Sequence, residues 1–306
     1  VGGIPINIDP TLLQLGPVAI TWHGLFTAVG TLVGIWLAVR WATVAGYVED
    51  DVITTAMWGV IGAIIGARLF HVADQWSYYA HDPVSIVRIN EGGLAIWGVI
   101  VGGPLAGGIY AWRRGMNVAK LADIASPALV FGMAIGRIGD VMNGEHHGVH
   151  VPTGWPLAVV YTNPNTLGEV GIPVHPAAGY ELVLDLVIFG VLVWLARGFV
   201  RGGRGVHFNW DPRYPRDGML FWIFLLLYSV ARFFVQIYRL DTPFALGISQ
   251  AQLVSVIAAM VAIWALAYQA ARARRPSAAA EETTAEPAPA DVTPTPDTAS
   301  EAPTSP

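Results

Sequence analysis

Seven apolar blocks, each near the length that crosses a bilayer, limit this chain more than any other feature of its sequence. They fall at about 17–40, 52–74, 92–112, 120–142, 176–197, 218–238 and 248–271, and each approaches the ~20 residues a spanning helix needs. A chain in lipid must satisfy its backbone N–H and C=O groups within the segment, which favours helices. Charge is scarce: 13% of the 306 residues are charged and 54% are hydrophobic, against ~25% charged in an average soluble domain. The expected fold is therefore an all-α polytopic membrane protein of seven transmembrane helices. The N-terminus lacks the basic region of a cleaved signal peptide, so the first span is expected to be retained. From Pro276 to Pro306 the sequence turns to Pro, Ala, Thr and Glu, too polar to bury a core and expected to be a disordered tail.

Basic residues set the orientation. Arg40, Arg113, Arg114, Lys120, the arginines from Arg197 to Arg216, and Arg272, Arg274 and Arg275 lie in loops of one side. The other side has Arg88 and, at its edge, Arg239, and neither the stretch before the first block nor the loop 149–174 holds Arg or Lys. Positive residues stay cytoplasmic, which places the N-terminus and the 149–174 loop outside and the C-terminus inside.

Several functions are disfavoured. With no cysteine in the chain, disulfides, thiolate metal sites and a cysteine nucleophile are excluded. No basic patch suits nucleic acid. A retinal Schiff base needs a lysine inside a span, and the only lysine, Lys120, lies at a cytoplasmic helix end. No inverted repeat or pair of broken helices suggests a transporter. Glycines four apart, at 62 and 66, 98 and 102, 103 and 107, and 132 and 136, read as seams where helix backbones approach closely.

An ionisable group at membrane depth costs at least ~2.5 kcal/mol on insertion scales, so its depth is informative. Arg68, Arg137 and Arg232 come late in outward-running spans, whereas His23, His175 and Glu181 come early in inward-running ones. All therefore sit in the outer half. The stretch 136–148, GRIGDVMNGEHHG, adds Asp140, Asn143, Glu145, His146 and His147 at the same level. The pattern reads as a polar chamber open to the outer side. Guanidinium presents a planar fork for phosphate or carboxylate, so an anionic lipid headgroup is the expected ligand. The competing use is internal pairing, Arg137 with Asp140 and Arg232 with Glu181. His146, His147 and His150 lack the H-E-x-x-H spacing of a zinc site, and no metal is expected.

Six motifs in order carry a family resemblance beside the 136–148 stretch: WHG at 22–24, GARL at 66–69, GGLAIWGVIVGG at 92–103, HPAAGYE at 175–181, RFFVQIYR at 232–239 and GISQAQ at 247–252. Over about residues 15–272 the chain resembles the phosphatidylglycerol–prolipoprotein diacylglyceryl transferases of the bacterial cell membrane. The resemblance implies a seven-helix catalytic domain at 1–275, with its active site on the extracytoplasmic side. It implies that the diacylglyceryl group of phosphatidylglycerol moves to the lipobox cysteine thiol of a prolipoprotein signal peptide, leaving glycerol phosphate. No cofactor is implied. By position, Arg137 and Arg232 match phosphate-handling arginines, Asn143, Glu145 and Gly148 the central motif, Glu181 the HPxxxYE glutamate, and Arg68 and Arg239 further basic positions. The chain departs from the family at Asp140 (commonly Asn), His23 (frequently Tyr), Trp97 (often His, a proposed base) and Gln236 (frequently Glu). Tryptophan accepts no proton, so the base is sought among Glu145, Glu181, His23 and His146, with Glu145 and His23 favoured, or in a water or the substrate phosphate. The alternative function is phospholipid binding or translocation by the same arginines.

Overall fold

A computed structural model describes residues 3–16, 18–88, 92–152, 154–196, 217–245 and 247–273. Eight α-helices follow in order among these residues: α1 (Trp22–Val44), α2 (Glu49–Asp74), the single turn α3 (Trp76–Tyr79), α4 (Ile96–Arg113), α5 (Val118–Asn143), α6 (Ala177–Ala196), α7 (Met219–Val235) and α8 (Gln250–Ala273). Local chemistry sets their ends. The Thr21 hydroxyl caps α1 by accepting from the Gly24 N–H at 3.1 Å, and the Asn117 side chain does the same for α5 with Lys120 N–H at 3.1 Å, the preferred N-cap chemistry. α5 stops at Gly144, whose φ of 77° is a left-handed cap that glycine adopts without strain.

Six helices among the described residues are long and apolar enough to cross a membrane: α1, α2, α5, α6, α7 with the turn after it, and α8. The expectation of seven meets a difference at α4. That segment is a helix of 18 residues, but Gly98, Gly102, Gly103, Gly107, Gly108, Pro104 and Arg113 dilute its apolar content. Large side chains such as Leu32, Leu69, Trp194 and Trp264 are exposed on the helix surfaces, where lipid is the matching solvent. The arginines between Arg197 and Arg216, Arg274, Arg275 and the tail 276–306, invoked for orientation and disorder, lie outside the described residues.

Short strands lie in the segments between and before the helices, which the all-helical expectation left out. β1 (Ile4–Ile6) pairs in parallel with β4 (Val159–Tyr161), which pairs antiparallel with β5 (Pro173–Val174). β2 (Thr11–Leu15) and β3 (Val18–Thr21) form a hairpin leading into α1. The first sheet ties the N-terminus to the 149–174 loop, and Val159, Tyr161 and Val174 bury against Ile6.

Helix pairing follows the glycine seams. α1 packs on α5 with Gly30 against Gly132, where an added Cβ on Gly132 would stand 2.5 Å from the Gly30 carbonyl oxygen. α2 packs on α4 through Gly62, Gly66, Gly98 and Gly102, and a Cβ on Gly62 would stand 2.5 Å from the Gly102 carbonyl oxygen. Gly136 is looser, with 3.8 Å to Thr27. Small residues allow dispersion contacts between backbones where lipid gives no hydrophobic drive. α6 and α7 bury Ile188, Leu192, Leu220 and Phe224 against Val130 of α5. Asp123, fully buried on α5, accepts from the Gly218 N–H at 2.5 Å and the Phe221 N–H at 2.7 Å. A carboxylate from one helix thus satisfies the orphan donors at the start of α7.

Candidate active site

Four pieces of chain meet where α1 begins and α5 and α7 end. α5 presents Arg137, Asp140 and its last residue Asn143, with Glu145 just beyond its end. α1 presents His23 from its first turn, α6 presents Glu181, and the 3-10 turn Gln236–Tyr238 after α7 leads to Arg239. Gly148 makes the last join: it bridges Arg239 in the antiparallel sense, while Val149 N–H donates to Tyr238 O and Leu240 N–H to His147 O, both at 2.9 Å. A Cβ on Gly148 would collide with the His175 carbonyl, so glycine is required there for a packing reason.

Glu181 organises the arginines. Its Oε2 lies 2.6 Å from Arg137 Nη2, its Oε1 pairs with Arg232 Nη1, and the same oxygen faces Arg239 Nη1 at 3.6 Å. Three guanidinium groups thus converge on one carboxylate, and Glu181 is 5% exposed. Arg239 Nε and Nη1 are buried without a hydrogen bond, although Glu181 and Asp241 face them, so donors remain for a further anion.

Asp140 is the second node. Oδ1 accepts from His23 Nδ1 at 2.5 Å, and Oδ2 from Arg137 Nη1 at 2.8 Å. His146 Nε2 stands 3.3 Å from Oδ2, while its Nδ1 lies 3.0 Å from Arg239 Nη2. Arg137 Nη1 also stands 3.3 Å from His146 Nε2, so each ring nitrogen faces a guanidinium, which only donates. His146 also has a φ of 62°, a left-handed conformation uncommon outside glycine. The 238–240 bridge holds it there between Asp140 and Arg239. Glu145 completes the group: Asn143 Nδ2 donates to Oε1 at 2.8 Å, and Oε2 lies 3.4 Å from His23 Nδ1.

The two internal pairs anticipated from sequence, Arg137 with Asp140 and Arg232 with Glu181, are both present, yet they belong to one network. Arg68 does not join it. Its Nε donates to Ile86 O, Nη1 to Gly92 O and Gly93 O, and Nη2 to Ser85 O and Arg88 O, at 2.6–3.3 Å. The guanidinium also lies over the Tyr79 ring at 5.1 Å. All five of its donors organise the loop before α4. Asp185, which sequence reading passed over, lies one helical turn beyond Glu181, 2% exposed with one carboxylate oxygen lacking a hydrogen bond. Its i+4 spacing from Glu181 on an otherwise apolar helix was the available signal.

A cleft beside the network is lined by Glu145, His146, His147, Tyr161, Glu169 and His175. Burial pushes the Tyr161 hydroxyl up to about 12, so it stays a neutral donor to Val141 O at 3.0 Å. Burial lowers His175, which keeps it neutral at pH 7 as it packs on Trp155, Tyr180 and Tyr238. Among the described residues, one grouping offers donors close enough for a metal: His23, Asp140 and Glu145. Arg137 on the other Asp140 oxygen opposes a cation there.

Comparison with known proteins gives a consistent answer. The family model described as prolipoprotein diacylglyceryl transferase matches residues 10–268. The phosphatidylglycerol–prolipoprotein diacylglyceryl transferase of Bacillus cereus (strain G9842) is 35% identical over 265 residues, 86% of this chain and 92% of that protein. That of Geobacillus kaustophilus (strain HTA426) is 34% identical over 270 residues, 84% of this chain and 92% of the relative.

Proposed function

The chain belongs to the prolipoprotein diacylglyceryl transferase family and is a membrane transferase; from that premise we propose how it works. It transfers the sn-1,2-diacylglyceryl group of phosphatidylglycerol to the lipobox cysteine thiol of a prolipoprotein, forming a thioether and releasing glycerol phosphate. The observation that carries this assignment to the site is the convergence of Arg137, Arg232 and Arg239 on Glu181. A lipid phosphodiester entering there shares or displaces the Glu181 contacts and gains the unbonded Arg239 donors. Charge then builds on the departing phosphate oxygen, and preorganised guanidinium donors in a water-poor site stabilise it. Asn143 holds Glu145 in place, and Gly148 lets the segment around it close against Arg239. The peptide thiol approaches along the cleft formed with the 149–174 loop.

The topology that goes with this reading has seven spans, α4 included, with the N-terminus outside and the C-terminus in the cytoplasm of a bacterial cell. Residues 1–275 form the catalytic domain and 276–306 a cytoplasmic tail. Basic residues at the ends of α4 and α8 support that orientation. Since the chain lacks cysteine, Asn165→Cys should react with a membrane-impermeant maleimide from outside, and Arg114→Cys only after permeabilisation. The reverse pattern would refute the orientation.

The reaction is tested with the purified full-length protein in phosphatidylglycerol nanodiscs and a lipobox peptide. The expected result is one glycerol phosphate released per diacylglyceryl peptide formed. Movement of phospholipid with no glycerol phosphate would point instead to a lipid translocator.

A further inference from the structure

We propose that His23 is the general base that takes the proton of the acceptor thiol, with Asp140 as the residue that positions it. This rests on the transferase reading and assigns the proton transfer that the reading leaves open. The other three side chains named as candidate bases are already engaged in the network. Glu181 is held by three guanidinium groups. His146 has both ring nitrogens engaged, Nδ1 by Arg239 and Nε2 by Arg137 and Asp140. Glu145 has Oε1 bound to Asn143 and Oε2 facing His23. His23 differs: Nδ1 donates to Asp140 at 2.5 Å, which fixes Nε2 as the acceptor. Among the described residues nothing bonds to Nε2, and the side chain is 41% exposed.

His23 and Asp140 are in direct contact though 117 positions apart. A carboxylate behind an imidazole sets its tautomer and stabilises the imidazolium formed on protonation. The same carboxylate binds Arg137 through its other oxygen, so one aspartate ties the base to the phosphate clamp. In the reaction the thiol proton passes to His23 Nε2. The sulfur forms a bond to the terminal glyceryl carbon as that carbon's bond to the phosphate oxygen breaks. The electron pair leaves on glycerol phosphate, and His23 then gives up its proton to that product or to water.

The test uses the full-length protein in phosphatidylglycerol nanodiscs, with lipid retention as the folding control. His23→Gln should lower turnover by about 100-fold or more, the span of general base catalysis, with lipid retention unchanged. Its residual rate should rise about tenfold per pH unit towards the free thiol value of ~8.5, because solvent must then supply the thiolate. The charged groups facing the ring are Asp140, Glu145 and Arg137, all retained in this variant. Asp140→Asn should lower turnover by at least about tenfold and move the acid limb of the pH profile, which a purely structural role would not do. His23→Ala should regain activity with imidazole in the buffer. A His23→Gln rate within threefold of wild type would overturn the proposal, as would a wild-type rate abolished by EDTA and restored by zinc. A wild-type chain that retains lipid but transfers nothing would instead sink the transferase reading.

Discussion

Arg68 and Arg137 are the same residue, each late in its helix, and the two regions around them use it differently. Arg68 lies 6% exposed in the α2–α4 half and donates to backbone carbonyls between Ser85 and Gly93. Those acceptors cannot leave without unfolding the loop. Arg137 lies in the α5–α6–α7 half and meets the carboxylates of Asp140 and Glu181, side chains that on the proposed function give way to a substrate phosphate. A buried guanidinium is a scaffold when backbone surrounds it and a ligand site when exchangeable anions do. The base rate of cost for burying charge is the same in both halves; only the partners differ.

The largest effect that would sharpen this contrast is on turnover. Arg137→Ala and Arg232→Ala should each reduce kcat by about 10²–10³, the loss seen when one transition-state donor is removed, while lipid-free folding is largely kept. Near-wild-type turnover in either variant would break the contrast at its catalytic end. Arg68→Ala comes next and should act on stability. Losing hydrogen bonds from a charged donor costs about 1.5–3 kcal/mol, seen as earlier thermal unfolding and faster proteolysis in the 83–95 loop, with turnover of the folded fraction reduced less than about tenfold. A selective loss of phosphatidylglycerol binding by Arg68→Ala would erase the distinction between the two arginines.

The glycine seam gives a smaller test in the Arg68 half. Gly62→Ala should cost about 1–3 kcal/mol, the range for overpacking, because the Gly102 carbonyl leaves no room for a Cβ. Gly136→Ala in the other half should change stability by less than about 0.5 kcal/mol, since its nearest neighbour is 3.8 Å away. The smallest expected effect is a pH dependence. His175 is lowered by burial, so its contribution is complete above the unfolded value near 6.5 and fades as pH falls below it. Thermal stability should therefore decline modestly from pH 7 to pH 5, and less so in His175→Gln; an equal decline would show that His175 plays no part.

Much of this was legible from sequence because it is local. Apolar block length gave the helices, and counting residues from span ends put Arg137, Arg232, His23 and Glu181 at one level. The i+3 spacing gave Arg137 with Asp140. Other features were not local. The fate of Arg68 depends on carbonyls 17–25 positions away, in a loop without a periodic signal. The start of α7 depends on Asp123, 95 and 98 positions before the N–H groups it receives. The strands are too short for alternation to register.

The sequence by itself determined that this chain is helical, lives in lipid and carries cations late in several of its helices, because hydrophobic length and residue type act without knowing their neighbours. Tertiary structure alone decided which arginine is held by loop carbonyls and which by carboxylates, and that His23 reaches Asp140. Those outcomes depend on which backbones can approach through the glycine seams and on which carboxylate or carbonyl then lies within 3 Å, a property of packed helices that residue order does not display.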